Sequence, residues 1–236
     1  MGNYKRVLLK LSGEQLAGKF EAGIDPEVAN YFASEVKKAR KGGCEIILVV
    51  GGGNLVRGAE VAGQGIKRVT GDHMGMLSGL INAMAITDIF EHNGIETRCL
   101  SNIFADQVAE MYSFRRAEKH IAHGRVIIIA GGIGRPYFTH DTAAVNIALE
   151  LGCEAVLKAT KVDGVYDKDP NKHPDAKKFE SLNYQQAIED SSIKVMDKAA
   201  MGLAMEQNMP VVVYNAMQPD NLKNLINGQS VGTRIA

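Results

Sequence analysis

The chain has 236 residues, with 27 basic and 27 acidic side chains and a formal net charge of zero. That balance removes the electrostatic drive toward nucleic acid as a main partner, and 45% hydrophobic with 23% charged residues is the make-up of a globular chain with a sizeable core. No apolar run approaches the ~18 residues a transmembrane helix needs, so no membrane partner is expected.

Taken in order, Tyr4 to Leu11 reads as a strand and Ser12 to Gly23 as a glycine-bearing loop. Asp25 and Pro26 look like the N-cap and first residue of a helix that runs to about Arg40 and stops at Gly42-Gly43. Glu45 to Val50 is a second strand ending in Gly51-Gly52-Gly53-Asn54; Leu55 to Thr70 reads as irregular. Asp72 is placed at the start of a long helix, Met74 to His92, closed by Asn93-Gly94. Ile95 to Leu100 is a third strand, Ala105 to Met111 is left open, and Phe114 to His123 reads as helix, with His120 and His123 on its surface.

Val126 to Ala130 is a run of five apolar residues, the pattern of a strand buried on both faces. It breaks into Gly131-Gly132-Ile133-Gly134 and then opens a helix with Thr139 or Asp141 as N-cap. Ala155 to Ala159 is a fifth strand, Asp167 to Phe179 a polar surface loop with Pro170 and Pro174, and Tyr184 to Glu189 a short helix. Lys194 to Gln207 reads as a longer helix, Pro210 to Asn215 as the last strong strand, and Asn221 to Asn227 as the last helix. Strands alternate with helices, which predicts an α/β fold: a mostly parallel sheet with helices on both faces. Residues 1–236 are expected to form one domain, without internal repeat.

Cys44, Cys99 and Cys153 each sit at the edge of an apolar run, and no CxxC pair occurs. Buried thiols in a reducing compartment are the expectation. The N-terminal MGNYKRVLLKLSG lacks an apolar h-region and cleavage site, so the expected setting is cytoplasmic.

Three strands end in glycine-rich turns: Ser12-Gly13, Gly51-Gly52-Gly53 and Gly131 to Gly134. In a parallel sheet these turns lie along one edge, where open backbone N–H groups favour a phosphate-rich ligand. Two familiar motifs fail. Gly13 to Lys19, GEQLAGK, fits a P-loop for seven positions, but Phe20 stands where Ser or Thr is needed and no helix follows Lys19 at once. No GxGxxG follows the first strand, which disfavours a dinucleotide site.

Lys10, near the end of the first strand, is either an edge-strand lysine reaching solvent or a cation that neutralises a transferring phosphoryl group. Arg57 has the same two readings, and Asp72 and Asp141 are each an N-cap or a site carboxylate. The stretch from Lys161 through Asp163 and Tyr166 to Pro170 is a strand and turn, or a clasp for a purine and ribose. No metal-ligand cluster and no Ser–His–Asp or Cys–His arrangement stands out.

KLSGE (Lys10 to Glu14), GGGNLVRG (Gly51 to Gly58), GDHMGMLSGLINAMA (Gly71 to Ala85), PYFTHDTAA (Pro136 to Ala144), KATKVDGVYDKDP (Lys158 to Pro170) and KVMDKAA (Lys194 to Ala200) resemble the bacterial uridylate kinases of the amino acid kinase superfamily. The resemblance covers about Tyr4 to Thr233, with the motifs in the same order. It implies a three-layer α/β/α sandwich, a homohexamer, and transfer of the ATP γ-phosphoryl group to UMP with Mg²⁺, within pyrimidine nucleotide synthesis. Carried over by position, Lys10, Leu11, Ser12 and Gly13 would hold ATP phosphates, with Gly53 and Arg57 continuing that site. Thr160, Tyr166 and Asp169 would bind the adenine nucleoside. Gly52 would touch UMP, Asp72 would bind its ribose, and Ile133, Gly134, Arg135, Pro136, Tyr137, Phe138, Thr139 and His140 would cradle uracil and phosphate. Asp141 would organise the catalytic lysine and the metal, with no residue named as a metal ligand. Gly18, Lys19, Phe20, Glu21, Ala22 and Gly23 match a segment linked in some members to activation by GTP; UTP is the other effector expected.

The chain departs from the pattern at the acceptor loop. The family form AGTGNPFFTTDT is here GGIGRPYFTHDT, so Ile133 replaces a hydroxyl, Arg135 an amide and His140 a threonine. Two alternatives stand beside the kinase of UMP: another family member acting on a carboxylate or carbamate, and a nucleotide-binding storage or sensor protein without turnover.

Overall fold

The computed structural model describes residues 3–62, 65–190, 193 and 195–236. Among them a nine-stranded sheet runs in the order β4-β3-β5-β2-β1-β6-β8-β9-β7. Its strands are β1 (Arg6–Leu11), β2 (Glu45–Val50), β3 (Thr97–Ser101), β4 (Glu110–Met111), β5 (Val126–Ala130), β6 (Val156–Thr160), β7 (Ser181–Leu182), β8 (Val211–Asn215) and β9 (Thr233–Ile235). Every pairing is parallel except β8 with β9. This is the mixed α/β, mostly parallel architecture that strand–helix alternation predicts.

The two faces of β1 show how the layers form. Val7, Leu9 and Leu11 join a core built with Phe32 and Val36 of α2 (Pro26–Ala39), Leu80, Ile86 and Phe90 of α4 (Arg68–His92), and Leu222 and Leu225 of α9 (Asn221–Ile226). Leu8 faces the other way, with Ile121 of α5 (Phe114–Ala122), Val145 and Ile147 of α6 (His140–Glu150), Ala187 of α7 (Tyr184–Glu189) and Met201 of α8 (Lys198–Glu206). Period-two alternation thus sorts one strand between two helical layers.

Several expectations need correction. The stretch from Ser12 to Gly23 is not all loop: α1 (Gly13–Leu16) makes one turn directly after β1. Leu55 to Thr70 contains α3 (Gly58–Val61), and α4 begins at Arg68 with Lys67 as N-cap, so Asp72 lies inside the helix. Gly63 and Gln64, within that stretch, lie outside the described residues, as do Met1 and Gly2 of the N-terminal reading. Gly71 does not break α4, because it is needed for contact: a Cβ there would meet the Gly58 carbonyl oxygen at 2.5 Å.

The helix expected over Lys194 to Gln207 starts only at Lys198, capped by the Asp197 side chain on the Ala200 N–H at 3.0 Å; Lys194 lies outside the described residues. The stretch from Ala105 to Met111, left open in sequence, contributes β4 at the sheet edge. His120 is not a surface residue: it is buried, with Nε2 at 3.0 Å from Glu110 Oε1. β7 and β9 were not foreseen. The three cysteines are buried and unpaired.

Candidate active site

The site grows from a charge conflict in the sheet. Lys10 of β1 pairs in register with Lys158 of β6 on the adjacent parallel strand, so both side chains leave the same face. Two ammonium groups so placed repel each other. Asp141, in the first turn of α6, lies over β1 and resolves the conflict: Oδ1 is 2.7 Å from Lys10 Nζ and Oδ2 is 2.8 Å from Lys158 Nζ.

Burial alone would raise the Asp141 carboxyl; the ammonium groups of Lys10 and Lys158 outweigh it and hold it at about 2. Burial lowers Lys158, with Asp141 opposing and Lys10 adding to the shift. The edge-strand reading of Lys10 is therefore wrong: β1 is central in the sheet and Lys10 is buried. Asp141 is not an N-cap either; Thr139 is, accepting from the N–H groups of Asp141 and Thr142.

Two clefts meet at this triad. One, of about 490 Å³, is lined by Lys10, Ser12, Gly13, Gly51, Gly52, Gly53, Arg57, Asp72, Phe138, Thr139, His140 and Asp141, together with Glu14, Arg68 and their neighbours. Its walls are glycine because backbones touch. A Cβ on Gly13 would stand 2.7 Å from the Gly51 oxygen, and one on Gly52 would stand 2.6 Å from the Gly75 oxygen of α4. Arg57 pairs with Glu14 across this cleft and lies 3.4 Å from Glu60. The second cleft, about 470 Å³, is lined by Lys158, Thr160, Val162, Tyr166, Asp169 and Pro170, among others. Tyr166 donates its hydroxyl to Asp163, and the Thr160 hydroxyl is 2.7 Å from the Val162 oxygen and 3.0 Å from the Tyr214 oxygen.

The structure thus brings Lys10, Arg57 and Asp141 into one cleft wall, and Thr160, Tyr166 and Asp169 into the other. The Leu11 side chain is in the core, and its carbonyl accepts from the Gly51 N–H at 3.0 Å. Ile133, Gly134, Arg135 and Pro136 do not line the first cleft. They form an arm beside it, tied by Asn102 Nδ2 to the Gly132 oxygen at 2.6 Å. Tyr137 donates its N–H to Asp72 Oδ2 at 2.8 Å. His140 lines the cleft; burial and then Lys10 lower its imidazole to about 4, so it is neutral at pH 7. Gly18, Lys19, Phe20, Glu21, Ala22 and Gly23 lie outside both clefts, with Lys19 pairing with Glu27 at 3.0 Å.

Sequence reasoning missed four polar anchors. Lys158 carries no signal of its own in the sequence, although its register with Lys10 makes it half of the charge arrangement. Asp197 accepts the hydroxyls of Thr139 and Thr142, joining the starts of α6 and α8. Asn54 and Asn82 exchange amide hydrogen bonds at 3.0 and 2.7 Å, and Asn82 also reaches the Gly51 oxygen at 2.7 Å. Asn54 donates to the Gly23 oxygen at 2.6 Å, linking residues 18–23 to the glycine turn. The signal for Asn82 was a lone amide in the apolar run LINAMA.

Against known proteins, the model of the amino acid kinase family matches residues 5–215. A uridylate kinase of Sulfurovum sp. is 50% identical over 225 residues, covering 95% of both chains. One from Xanthomonas oryzae pv. oryzae is 47% identical over 233 residues, covering 99% of this chain and 97% of the other. Among solved structures, the UMP kinase from Bacillus anthracis superposes with a TM-score of 0.94 at 36% identity, covering 99% of this chain and 96% of that one.

Proposed function

The chain belongs to the amino acid kinase family, and from that premise we propose that it transfers the γ-phosphoryl group of ATP to UMP, giving UDP and ADP. The observation that carries this reading is the triad of Lys10, Asp141 and Lys158 at the meeting point of two clefts, one walled by open glycine backbone and the other by Tyr166 and Asp169. Two anionic nucleotides entering from opposite sides would meet end to end at the two ammonium groups.

Phosphoryl transfer is served by positioning and charge neutralisation rather than by covalent chemistry. UMP's phosphate is ionised at pH 7, so its oxygen attacks the γ-phosphorus as the bond to the ADP oxygen breaks, and no general base is required. Lys10 and Lys158 face the equatorial oxygens where charge develops. Asp141, held ionised, fixes both ammonium groups without accepting a proton. Ser12, Gly13, Gly53 and Arg57 hold the ATP phosphates. Thr160, Tyr166 and Asp169 hold its nucleoside. Gly52, Asp72 and the arm from Ile133 to His140 hold UMP.

A kinase using ATP works with a divalent cation, and the donor set here suits Mg²⁺ carried on the nucleotide. No cluster of three or more His, Cys, Asp or Glu able to hold a metal occurs among the described residues, and Asp141 is engaged by two lysines. Mg²⁺ is commonly held by substrate phosphates and water with few carboxylates. When bound it would supply further neutralisation of phosphate charge.

The same reading takes residues 1–236 as one domain and the working form as a homohexamer. The outer face of α4 supports self-association, since Leu77, Ile81 and Met84 are exposed. GTP is the proposed activator, acting at residues 18–23, which reach the glycine turn through Asn54, and UTP is the other proposed effector. ATP and UMP as substrates, with three unpaired thiols, fit a cytoplasmic setting and a role in pyrimidine nucleotide synthesis. No helix of the described residues is long and apolar enough to cross a membrane. The experiment is to incubate the protein with γ-labelled ATP, Mg²⁺ and UMP: label recovered in UDP supports the reading, and label left wholly in ATP defeats it.

A further inference from the structure

Arg68 has no task in the transfer just described, and helix stability does not account for it. It is the first residue of α4, where the helix dipole favours an anion over a cation. Its i,i+4 pairing with Asp72 has the basic residue first, which is the poorer order. Yet Arg68 Nε lies 2.8 and 3.0 Å from the two Asp72 oxygens, and its guanidinium lies 5.5 Å from the centre of the Tyr137 ring. Asp72 in turn accepts the Tyr137 N–H at 2.8 Å across 65 positions of sequence.

Tyr137 is itself under constraint. Its φ of 69° is in the left-handed region, which a bulky side chain rarely enters, and its ring is exposed. A strained aromatic on the surface keeps such a conformation when surrounding contacts hold it. Those contacts here are the Asp72 carboxylate on its backbone and the Arg68 cation on its ring. The arm that carries it is fixed at one end by Asn102 on Gly132 and at the other by Asp197 on Thr139. Tyr137 is the tether between.

We propose that Arg68 is a positioning residue for the acceptor: through Asp72 and the Tyr137 ring it holds residues 133–139 against α4 and so sets the affinity for UMP. The inference rests on the reading of this cleft as the UMP site. Arg68 lines the same cleft, and in this proposal it acts through the arm rather than on the phosphate.

The test compares the full-length protein with Arg68→Lys, Tyr137→Gly and the double variant. Lysine keeps the charge but loses the planar guanidinium, and glycine keeps the left-handed backbone and its N–H while losing the ring. Arg68→Lys should raise KM for UMP about tenfold while leaving kcat and KM for ATP within about twofold, Tyr137→Gly should raise KM for UMP by a similar factor, and the double should be no worse in KM for UMP than the worse single. Uridine, which lacks the phosphate, should lose binding by the same factor as UMP. An unchanged KM for UMP, a double variant whose effect is the product of the singles, or a loss confined to UMP with uridine unaffected would each overturn the proposal. Failure of the wild-type protein to phosphorylate UMP would instead overturn the proposed function, and the wild-type control separates the two.

Discussion

Lys10 and Lys158 stand opposite each other on adjacent parallel strands and share one carboxylate, each taking a different oxygen of Asp141. The arrangement balances a buried and a half-buried cation against one anion and leaves a net positive charge where the proposed phosphoryl group would pass. Asp141→Asn removes the anion and keeps the shape. The expected outcome is a stability loss on the order of 3 kcal/mol in urea unfolding, because the two ammonium groups are left uncompensated. A fall in kcat of about 100-fold should accompany it as the lysines move apart. A variant as stable and as active as the parent would show that the lysines need no common partner.

Acid should weaken the fold in two stages. His140 has a folded value near 4 against about 6.5 when unfolded, so the unfolded chain takes up the proton first. Stability is therefore full above about pH 6.5 and falls as the pH drops toward 4, by on the order of 3 kcal/mol in all. Asp141, held at about 2, adds stability above its unfolded value near 3.9, and that part is lost as the pH falls from about 4 to 2. His140→Thr should flatten urea midpoints between pH 6.5 and 4 while leaving the lower stage in place.

The glycine turn at the end of β2 can be probed at adjacent positions. A Cβ on Gly52 would meet Ser78 Cβ at 2.5 Å and the Gly79 nitrogen at 2.6 Å, so Gly52→Ala must push α4 away from the sheet. A destabilisation of about 1–3 kcal/mol is expected. On Gly53 the nearest atom to a new Cβ is Glu14 Oε1 at 3.5 Å, an ordinary contact, so Gly53→Ala should melt like the parent. Thermal unfolding of the two variants side by side reads the difference directly.

Asn82→Leu should act on the same turn from behind. It strands Asn54 Oδ1 and the Gly51 carbonyl, each of which accepts from the Asn82 amide at 2.7 Å. Buried polar groups left without partners cost about 1–3 kcal/mol. The loosened turn should raise KM for both nucleotides, measured by varying each at saturating levels of the other.

The three thiols should be inert in the native protein. Burial, the largest cause at each, pushes Cys44 and Cys153 up to about 12 and Cys99 up to about 11. At pH 8 iodoacetamide should label none of them in the folded chain and all three in denaturant, as read by intact mass.

The sequence was clearest where one local rule dominated. Glu45–Val50 and Val126–Ala130 are continuous apolar runs, and their strands have the predicted bounds. Asp25 and Pro26 cap and open α2 as their chemistry requires. The failures share a cause, which is that the deciding contact is distant in sequence. Asp72 reads as a helix start, but α4 begins at Arg68 and runs through Gly71, where Gly58 packs against the helix. Strands β7 and β9 are two and three residues long and are defined by partners across the sheet edge, so no periodicity announces them. Among candidate residues, Lys10, Arg57 and Asp141 are legible in the sequence, but Lys158 is one of several lysines in its stretch until the register of β1 and β6 sets it beside Lys10.

The central claim is that these two clefts bring ATP and UMP together, and a coupled ADP-release assay with Mg-ATP tests it most directly. UMP, CMP, dUMP, acetylglutamate and carbamate would be offered in turn. The account predicts turnover with UMP far above every other acceptor, with Ile133, Arg135 and His140 accommodated in the acceptor arm. Turnover centred on acetylglutamate or carbamate, or nucleotide binding with no ADP release on any acceptor, would contradict it.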